Sequence, residues 1–168
     1  GDGINDEYPV IYDQTNPTVS AELVLNGDFS NGSTDWYFDS IVSTANNEAI
    51  VTGNGLVSSG QFYQTVPNIT AGSYLFTFNY NNVSGNSLRV NADGTLRMVT
   101  SVIGTSGIYT AIFTPNTSNP TIRFYGYVDN GEVIKVSNVS FKKLNGNAAY
   151  MTNMVEGNIT NQYPLTKI

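Results

Sequence analysis

The sequence contains no cysteine and no histidine, and these two absences exclude several kinds of chemistry. A chain without cysteine forms no disulfide framework and offers no thiolate to a metal ion. A chain that also lacks histidine can assemble neither a Ser-His triad nor a Cys-His dyad. Nucleophilic catalysis of these two kinds is therefore excluded.

Charged residues are also scarce, at 12% of the chain, which is about half the usual share. The net charge is −6, and the seven lysines and arginines form no basic run that could neutralise a phosphate backbone. No apolar run approaches the length of a transmembrane helix. We therefore expect neither a nucleic-acid partner nor insertion into a membrane.

Asparagine, serine and threonine take up roughly a third of the 168 residues, while 40% are hydrophobic and 12% aromatic. This composition favours turns and strands over helices, and the length suits one domain with a proper core. A low-charge surface without cysteine is typical of an extracellular or virion protein, and we expect that localisation. The chain opens on Gly1 rather than Met, which indicates a processed form, a trimmed chain or a segment of a longer protein.

The strand signals between the two ends of the chain are regular. They predict about eight or nine strands, separated by turns at intervals of roughly eight to twelve residues. The clearest predicted strand extends from Ser73 to Tyr80. Its residues Tyr74, Phe76, Phe78 and Tyr80 share one face. This pattern is typical of an antiparallel β-sandwich or jelly roll.

Three local features accompany these strands. Leu23-Val24-Leu25 is predicted as an apolar strand, and Asp129-Asn130-Gly131 as a tight hairpin turn. In the last strand Val136 and Val139 have opposite parity, which a bulge near Ser137-Asn138 would reconcile. The predicted core consists of Leu25, Phe29, Trp36, Phe76, Phe78, Leu88, Val90, Phe113, Ile122, Phe124, Val139 and Phe141.

The domain itself is predicted to span residues 22–144, with extended arms at residues 1–21 and 145–168. Each arm contains a Tyr-Pro pair followed by apolar residues, and such segments favour pairing with the sheet edge of a neighbour. The candidate assembly residues of the two arms are Tyr8, Val10, Ile11, Tyr12, Met151, Met154, Tyr163 and Leu165.

The motifs, taken in order, resemble the jelly-roll carbohydrate-binding modules attached to xylanases and cellulases. Asn26-Gly27-Asp28-Phe29-Ser30 with Trp36 is similar to their opening motif. Tyr63-Gln64-Thr65-Val66 and Ala71-Gly72-Ser73-Tyr74 are similar to their central strands. Val136-Ser137-Asn138-Val139-Ser140-Phe141 resembles their closing strand, which usually has the sequence Ile-Asp-Asn-Val-Ser-Val.

The resemblance covers Leu23 to Leu144 and extends to the copies of this module in tailed-phage virion and tail proteins, which share the opening motif and a low-charge body. It implies a jelly-roll β-sandwich of about eight or nine antiparallel strands. It also implies glycan recognition without catalysis, as a carbohydrate-binding module of a virion or cell-surface protein engaged in adhesion.

The enzyme-borne modules commonly hold a structural calcium ion, and this chain departs from them there. They use an acidic residue after the first Phe and the Asp of the closing strand, where this chain has Ser30 and Ser137. Calcium prefers several oxygen ligands, with carboxylates supplying the charge. Asp28 remains as the single calcium candidate, and we expect no cofactor.

The carboxylates that could form a catalytic pair all lie in turn-like sequence. Glycoside hydrolysis needs two carboxyl groups held a few ångströms apart, one of them with a raised pKa. Aspartates in turns more often cap or bend the chain. We therefore expect that the protein is not an enzyme, with no catalytic role for Asp28, Asp35, Asp39, Asp129 and Glu132.

Sugars present apolar ring faces and hydroxyl edges, so their sites combine exposed aromatic rings with planar hydrogen-bonding groups. If Ile122 and Phe124 face the core, the alternation of a strand puts Arg123, Tyr125 and Tyr127 on its outer face. Packing of these tyrosines against an arm or a neighbour is an equally supported alternative. If the neighbouring strands share one sheet, the candidate carbohydrate site consists of Tyr125, Tyr127, Arg123, Arg89, Asn79, Asn91 and Tyr63.

Trp36 is predicted to lie in the core because its preceding loop tucks it under the sandwich, whereas Tyr37 and Tyr63 are predicted loop aromatics that could flank a ligand. The alternative to sugar binding is assembly. The protein would then be a capsid decoration, tail or filament subunit whose arms clasp neighbouring copies in an oligomer. The expected partners are therefore a glycan, other copies of the chain, or virion proteins.

Overall fold

The computed structural model describes residues 19–92, 99–103 and 105–145, and these residues form ten strands. Within this part of the chain no helix is long and apolar enough to cross a membrane. The strands are β1 Tyr37–Phe38, β2 Val42–Ala45, β3 Glu48–Thr52, β4 Ser59–Thr65, β5 Tyr74–Asn82, β6 Ser87–Asn91, β7 Val99–Ile103, β8 Gly107–Phe113, β9 Thr121–Tyr127 and β10 Val133–Lys143.

The strands form two sheets of five strands each, and every pairing is antiparallel. The first sheet has the order β1-β4-β9-β6-β7, and the second has the order β2-β3-β10-β5-β8. Their inner faces supply one hydrophobic core. This arrangement confirms the predicted all-β sandwich.

Aromatic rings dominate the core. Phe62 and Phe124, neighbours in the first sheet, stack with their ring centroids 4.8 Å apart. Phe78 of the second sheet meets Phe124 edge to face at 5.2 Å, so ring contacts join the two sheets. Burying a side chain of this size contributes about 1.5–3 kcal/mol. The predicted inner face of β5 is confirmed, since its four aromatic residues are all buried: Tyr74, Phe76, Phe78 and Tyr80.

A bulge in β10 directs both halves of that strand into the core, as predicted. The register of β10 against β5 shifts between Ser137 and Ser140. Asn138, inside the bulge, adopts a left-handed φ of 50°. Val136 and Val139 are therefore both buried, although their sequence parity is opposite.

The loop that precedes Trp36 docks on this bulge through Gly27. The Val139 amide donates a hydrogen bond of 2.8 Å to the Gly27 carbonyl. A Cβ atom on Gly27 would clash with the Val139 carbonyl oxygen, so only glycine lets the two backbones approach this closely. Trp36 is buried, which confirms its predicted place in the core. Its indole nitrogen donates to the carbonyls of Leu25 and Asn26 at 3.1 and 3.2 Å.

Gln64 ties the same loop to β4 from inside the sandwich. Its buried amide nitrogen donates to the carbonyls of Leu25 and Asp35 at 2.9 and 3.0 Å. Its Oε1 accepts a hydrogen bond of 2.8 Å from the Leu25 amide. Leaving such buried groups unpaired costs about 1–3 kcal/mol each, so this side chain helps to fix the path of the loop.

Ten of the twelve predicted core residues are buried, Phe113 is partly buried and packs against the core, and Leu25 is wrong. Leu25 is 60% exposed, because the segment from Leu23 to Leu25 is not the predicted strand. The amides of Leu23 and Val24 donate to the Glu22 carboxylate at 3.1 and 3.2 Å, and the Leu23 amide makes one further hydrogen bond of 3.0 Å to the Phe141 carbonyl of β10. Phe113 is half-buried, since it ends β8 at the edge of the second sheet.

The predicted hairpin at Asp129-Asn130-Gly131 is also wrong, although these residues do form a tight turn. The Glu132 amide donates to the Asp129 carbonyl at 3.0 Å, and Gly131 has a φ of 79°. The strands that the turn joins, β9 and β10, each have partners on both sides and lie in different sheets. The turn therefore carries the chain from one sheet to the other.

The predicted arms lie almost entirely outside the described residues. Val19 forms an isolated bridge with Leu144, and the Ser20 amide donates to the Lys143 carbonyl at 2.8 Å. The described chain therefore begins beside the end of β10. The assembly residues stay predictions outside the described ranges: Tyr8, Val10, Ile11, Tyr12, Met151, Met154, Tyr163 and Leu165.

Replacing Gly27 by alanine is expected to destabilise the domain by about 1–3 kcal/mol, because the methyl group forces the loop away from the bulge. Gly107→Ala is the matched control, since the nearest atom to its added Cβ lies 4.0 Å away. The control should change the free energy of unfolding by about 0.5 kcal/mol or less. Urea denaturation measures both values, and equal stability of the two variants would contradict the docking role of Gly27.

Tyr80 supplies a pH-dependent test of the core. Its hydroxyl is buried and has no hydrogen-bond partner among the described residues. Burial, with a smaller effect of Tyr109, raises the pKa of Tyr80 from 10.0 to about 12. Because the folded pKa exceeds the unfolded one, the contribution of the neutral hydroxyl to stability is complete below pH 10 and is lost as the pH rises toward 12.

Tyr80→Phe is therefore expected to be at least as stable as the wild type at neutral pH, because it removes a buried hydroxyl that lacks a partner. The difference in free energy of unfolding between this variant and the wild type should grow as the pH rises above 10. Above that pH the wild type folds at the cost of protonating Tyr80, and the variant has no such group. Urea denaturation of both proteins over this range measures the difference. A difference that stays constant with pH would contradict the raised pKa.

Candidate functional site

The outer face of the first sheet brings together a set of tyrosine, arginine and amide side chains. The strands β4, β6 and β9 alternate along their length, burying one set of side chains and directing the other outward. The register aligns the outward residues in rows: Tyr37, Tyr63, Arg123 and Asn91 form the first, Gln61, Tyr125 and Arg89 the second, and Tyr127 stands in the third. We call this set the tyrosine–arginine face.

The size of the tyrosine–arginine face follows from strand geometry. Adjacent strands lie about 4.8 Å apart, so the first row extends about 14 Å from β1 to β6. Side chains in successive rows are separated by about 7 Å along each strand. Its residues are half-buried, apart from Tyr37, which is 50% exposed. The face is therefore long enough to contact several units of an extended ligand.

The first row is held together by stacking. The rings of Tyr37 and Tyr63 stack with their centroids 4.7 Å apart and an interplanar angle of 26°. On the next strand, the guanidinium carbon of Arg123 lies 4.4 Å from the centroid of the Tyr63 ring. Tyr63 is thus flanked by partners from both neighbouring strands. Such contacts fix the side chains before any ligand arrives, which lowers the entropy that binding must remove.

A contact between Arg123 and Tyr125 joins the first row to the second. Arg123 Nη1 donates to the Tyr125 hydroxyl at 3.3 Å, and its guanidinium carbon lies 5.9 Å from the Tyr125 ring centroid. The guanidinium has five N–H donors, so most of them remain available. Arg123 is therefore both the centre of the face and a source of directed hydrogen bonds.

Much of the remaining hydrogen-bonding capacity of the face is unused within the protein. Among the described residues, the hydroxyls of Tyr37, Tyr63 and Tyr127 have no hydrogen-bond partner, and neither does the side-chain amide of Gln61. The Oδ1 atom of Asn91 is buried and also lacks one. Planar amides and phenol groups beside aromatic rings are the groups that recognise polar, ring-shaped ligands.

Six of the seven predicted site residues lie on this face: Tyr63, Arg89, Asn91, Arg123, Tyr125 and Tyr127. Asn79 does not, because β5 belongs to the second sheet, so the assumption that all seven share one sheet is wrong. Tyr37 and Tyr63 are strand residues rather than the predicted loop aromatics. The prediction also missed Gln61, although it has the same strand parity as Tyr63.

The oxygen atoms near the opening motif do not form a set of ligands that fits a calcium ion. The backbone amide of Ser30, followed by its hydroxyl, holds the pKa of Asp28 below its ordinary value of 3.8. Both groups donate to the same carboxylate oxygen, at 3.1 and 2.9 Å, so Asp28 closes its own turn. The described residues contain no group of three or more acidic side chains that could hold a metal.

Two of the other candidate carboxylates accept hydrogen bonds from backbone amides. Asp39 accepts a hydrogen bond of 3.2 Å from the Gln61 amide, and Glu132 accepts one of 2.7 Å from the Asp129 amide.

At one end of the sandwich, residues 55–58 and 128–130 line an open depression of about 400 Å³. Its lining contains Asp129 but no aromatic ring. This depression therefore lacks the stacking surface that the tyrosine–arginine face provides.

No protein-family model and no curated protein matches the chain. Solved structures do match it in fold. The carbohydrate-binding module TmCBM61, in complex with β-1,4-galactotriose, gives a TM-score of 0.54 at 14% identity, covering 74% of this chain and 99% of that one. A CBM4 structure gives a TM-score of 0.52 at 13% identity, covering 71% of this chain and 99% of that one.

A viral protein has the same fold in part of its chain. The enzymatically active domain of tailspike protein 4 from bacteriophage CBA120 gives a TM-score of 0.56 at 16% identity, covering 73% of this chain and 21% of that one. At these identities the similarity concerns the fold alone. It confirms that the described domain is a jelly-roll β-sandwich like those of carbohydrate-binding modules.

Proposed function

We propose that the protein is a non-catalytic carbohydrate-binding module whose ligand lies across the tyrosine–arginine face. The observation that carries this proposal is the row in which Tyr37 stacks on Tyr63 and Arg123 lies over the Tyr63 ring. These rings supply apolar surface, while their hydroxyls, which lack partners in the described protein, supply hydrogen bonds. A saccharide needs both kinds of contact from one surface.

The fold supports the same proposal. TmCBM61, named in its structure as a complex with β-1,4-galactotriose, shares the jelly-roll architecture at low identity. The preformed stacking of the face also suits a ligand that is itself semi-rigid, since little side-chain freedom is lost on binding.

The setting that we propose is the surface of a virion or cell, where the module recognises glycans during adhesion. The similarity of fold to a bacteriophage tailspike protein supports the virion setting. The absence of cysteine from the chain suits an extracellular location, because no thiol is available for oxidation.

Tyr63→Ala and Tyr125→Ala are expected to weaken polysaccharide binding about tenfold or more each, because both remove ring surface and a hydroxyl from the centre of the face. Affinity gel electrophoresis on galactan, xylan and polygalacturonate measures retention of each variant. Asn79→Ala is the control, since Asn79 lies on the second sheet and its loss should leave retention unchanged.

Two outcomes would count against the proposal. If Tyr63→Ala and Tyr125→Ala keep wild-type circular dichroism and are retained like the wild type, the ligand does not bind on this face. If only Asn79→Ala loses retention, the ligand binds on the second sheet.

A second candidate function is self-assembly, and the edge strand β8 favours it. Ile108 and Ile112 are 76% and 45% exposed on this strand, which has a neighbour on one side only in the described sheet. A free strand edge beside exposed isoleucines favours pairing with a second copy of the chain. As a capsid decoration, tail or filament subunit, the protein would form an oligomer through this edge without any sugar.

The double variant Ile108→Lys, Ile112→Lys is expected to convert such an oligomer to monomer, because lysines on an edge strand oppose pairing. Light scattering of the full chain measures the mass. Leu56→Lys is the matched control, as Leu56 is 87% exposed but lies outside the strands. A wild-type mass equal to that of one chain, or an oligomer that survives the double variant, would exclude assembly through β8.

A further inference from the structure

The two sheets carry different kinds of cationic side chain. The described residues contain five cationic side chains, the arginines on the first sheet and the lysines on β10 of the second: Arg89, Arg123, Lys135, Lys142 and Lys143. Both sheets therefore carry cations, but the surroundings of these cations differ.

Each of the three lysines on β10 has an oxygen partner within the protein. Lys135 lies 2.9 Å from the Glu48 carboxylate, and Lys142 lies 3.7 Å from the Glu22 carboxylate. Lys143 donates to the Thr70 hydroxyl at 2.7 Å. Pairing with groups of the same chain accounts for these cations.

Neither Arg89 nor Arg123, on the first sheet, forms an ion pair with a carboxylate of the described residues. None of the strands β1, β4, β6, β7 and β9 contains an aspartate or glutamate. Arg123 lies over the ring of Tyr63 and donates a hydrogen bond to Tyr125, and Arg89 has no hydrogen bond or ion pair within the described protein. The Asp39 carboxylate accepts a hydrogen bond from the Gln61 backbone beside this face, but no carboxylate of the described residues forms an ion pair with either arginine.

The two arginines are close enough to act on one ligand. Arg89 pairs in register with Tyr125, and Asn91 pairs with Arg123, so the arginines occupy diagonal positions on β6 and β9. Diagonal positions across an antiparallel pair are about 7–8 Å apart. Like charges at this separation repel each other, and no carboxylate of the described residues offsets that repulsion. An anionic ligand bound between the two guanidinium groups would offset it.

We infer that the ligand of the tyrosine–arginine face is an acidic polysaccharide, whose sugar carboxylates are bound by Arg89 and Arg123. This inference rests on the proposed carbohydrate-binding function. A guanidinium group donates two parallel N–H hydrogen bonds to a carboxylate. Its hydrogen bonds to the hydroxyl groups of a neutral sugar are weaker. The net charge of −6 does not prevent binding, because charges beyond about 8 Å are largely screened at physiological salt.

The test compares polygalacturonate with the same polymer after chemical reduction of its carboxyl groups, using the full chain and isothermal titration calorimetry. Polygalacturonate is expected to bind about tenfold or more tightly than its reduced form, and added salt should weaken only the acidic complex. Alginate and hyaluronan, each beside its reduced form, extend the comparison to other uronic acids.

Arg89→Gln is the selective variant, because Arg89 takes no part in the stacked row of tyrosines. It should lower affinity for the acidic polymer about tenfold more than it lowers affinity for the reduced polymer. Arg89→Lys keeps the charge without the two parallel donors and should lie between the wild type and Arg89→Gln. Lys142→Gln is the matched control, since it removes one positive charge from the second sheet and should bind like the wild type.

The outcomes separate this inference from the proposed function. Binding of the reduced polymers as tight as that of the acidic ones, or an Arg89→Gln variant with unchanged affinity, overturns the acidic ligand and leaves a neutral glycan. Equal affinity for polyglutamate and polygalacturonate overturns the assignment to a saccharide. Failure of every polymer, acidic and reduced, overturns the carbohydrate-binding function itself.

Discussion

The close approach of Gly27 to Val139 is the constraint on which the rest of the domain depends. It requires a residue without a side chain in the loop and a bulge in β10, since an unbulged strand would present a different backbone there. The docked loop ends in Trp36, whose indole is fixed by two carbonyls of the same loop. The next residue, Tyr37, begins β1 and pairs with Tyr63 on β4. A contact on the second sheet thus sets the position of the outermost tyrosine on the first.

The core and the tyrosine–arginine face are two sides of the same strands, so neither can change register alone. Phe62 and Phe124 stack inside the sandwich, and the residues that follow and precede them, Tyr63 and Arg123, stack outside it. A slip of one residue would bury the polar set and expose the phenylalanines. The large free energy of aromatic burial therefore holds Arg123 over Tyr63, where the contact itself contributes far less.

Sequence alone predicted most of the fold, because its main signal is local alternation. It identified the inner face of β5, the bulge of β10 and eight core residues of the strands, all of which depend on parity within one strand, and it also identified Phe29 and Trp36 from the opening motif. It missed the hairpin of β2 and β3, although Asn46 and Asn47 both have positive φ, as a tight turn between such strands requires. It failed for Asn79 and for the turn at 129–131, because strand order across two sheets is a long-range property that no short pattern records. Six site residues were correctly grouped since their own strands happen to be neighbours.

The two candidate functions use different parts of the molecule, and this separation makes them compatible. The tyrosine–arginine face belongs to the first sheet, whereas β8 with its exposed isoleucines is the edge of the second. Pairing along β8 would extend the second sheet in its own plane and would leave the outer face of the first sheet open. Several copies joined in this way would present several saccharide faces, and the effective concentration of one face beside another raises the strength of attachment to a polymer. A module with modest affinity for each sugar chain could therefore adhere firmly once assembled.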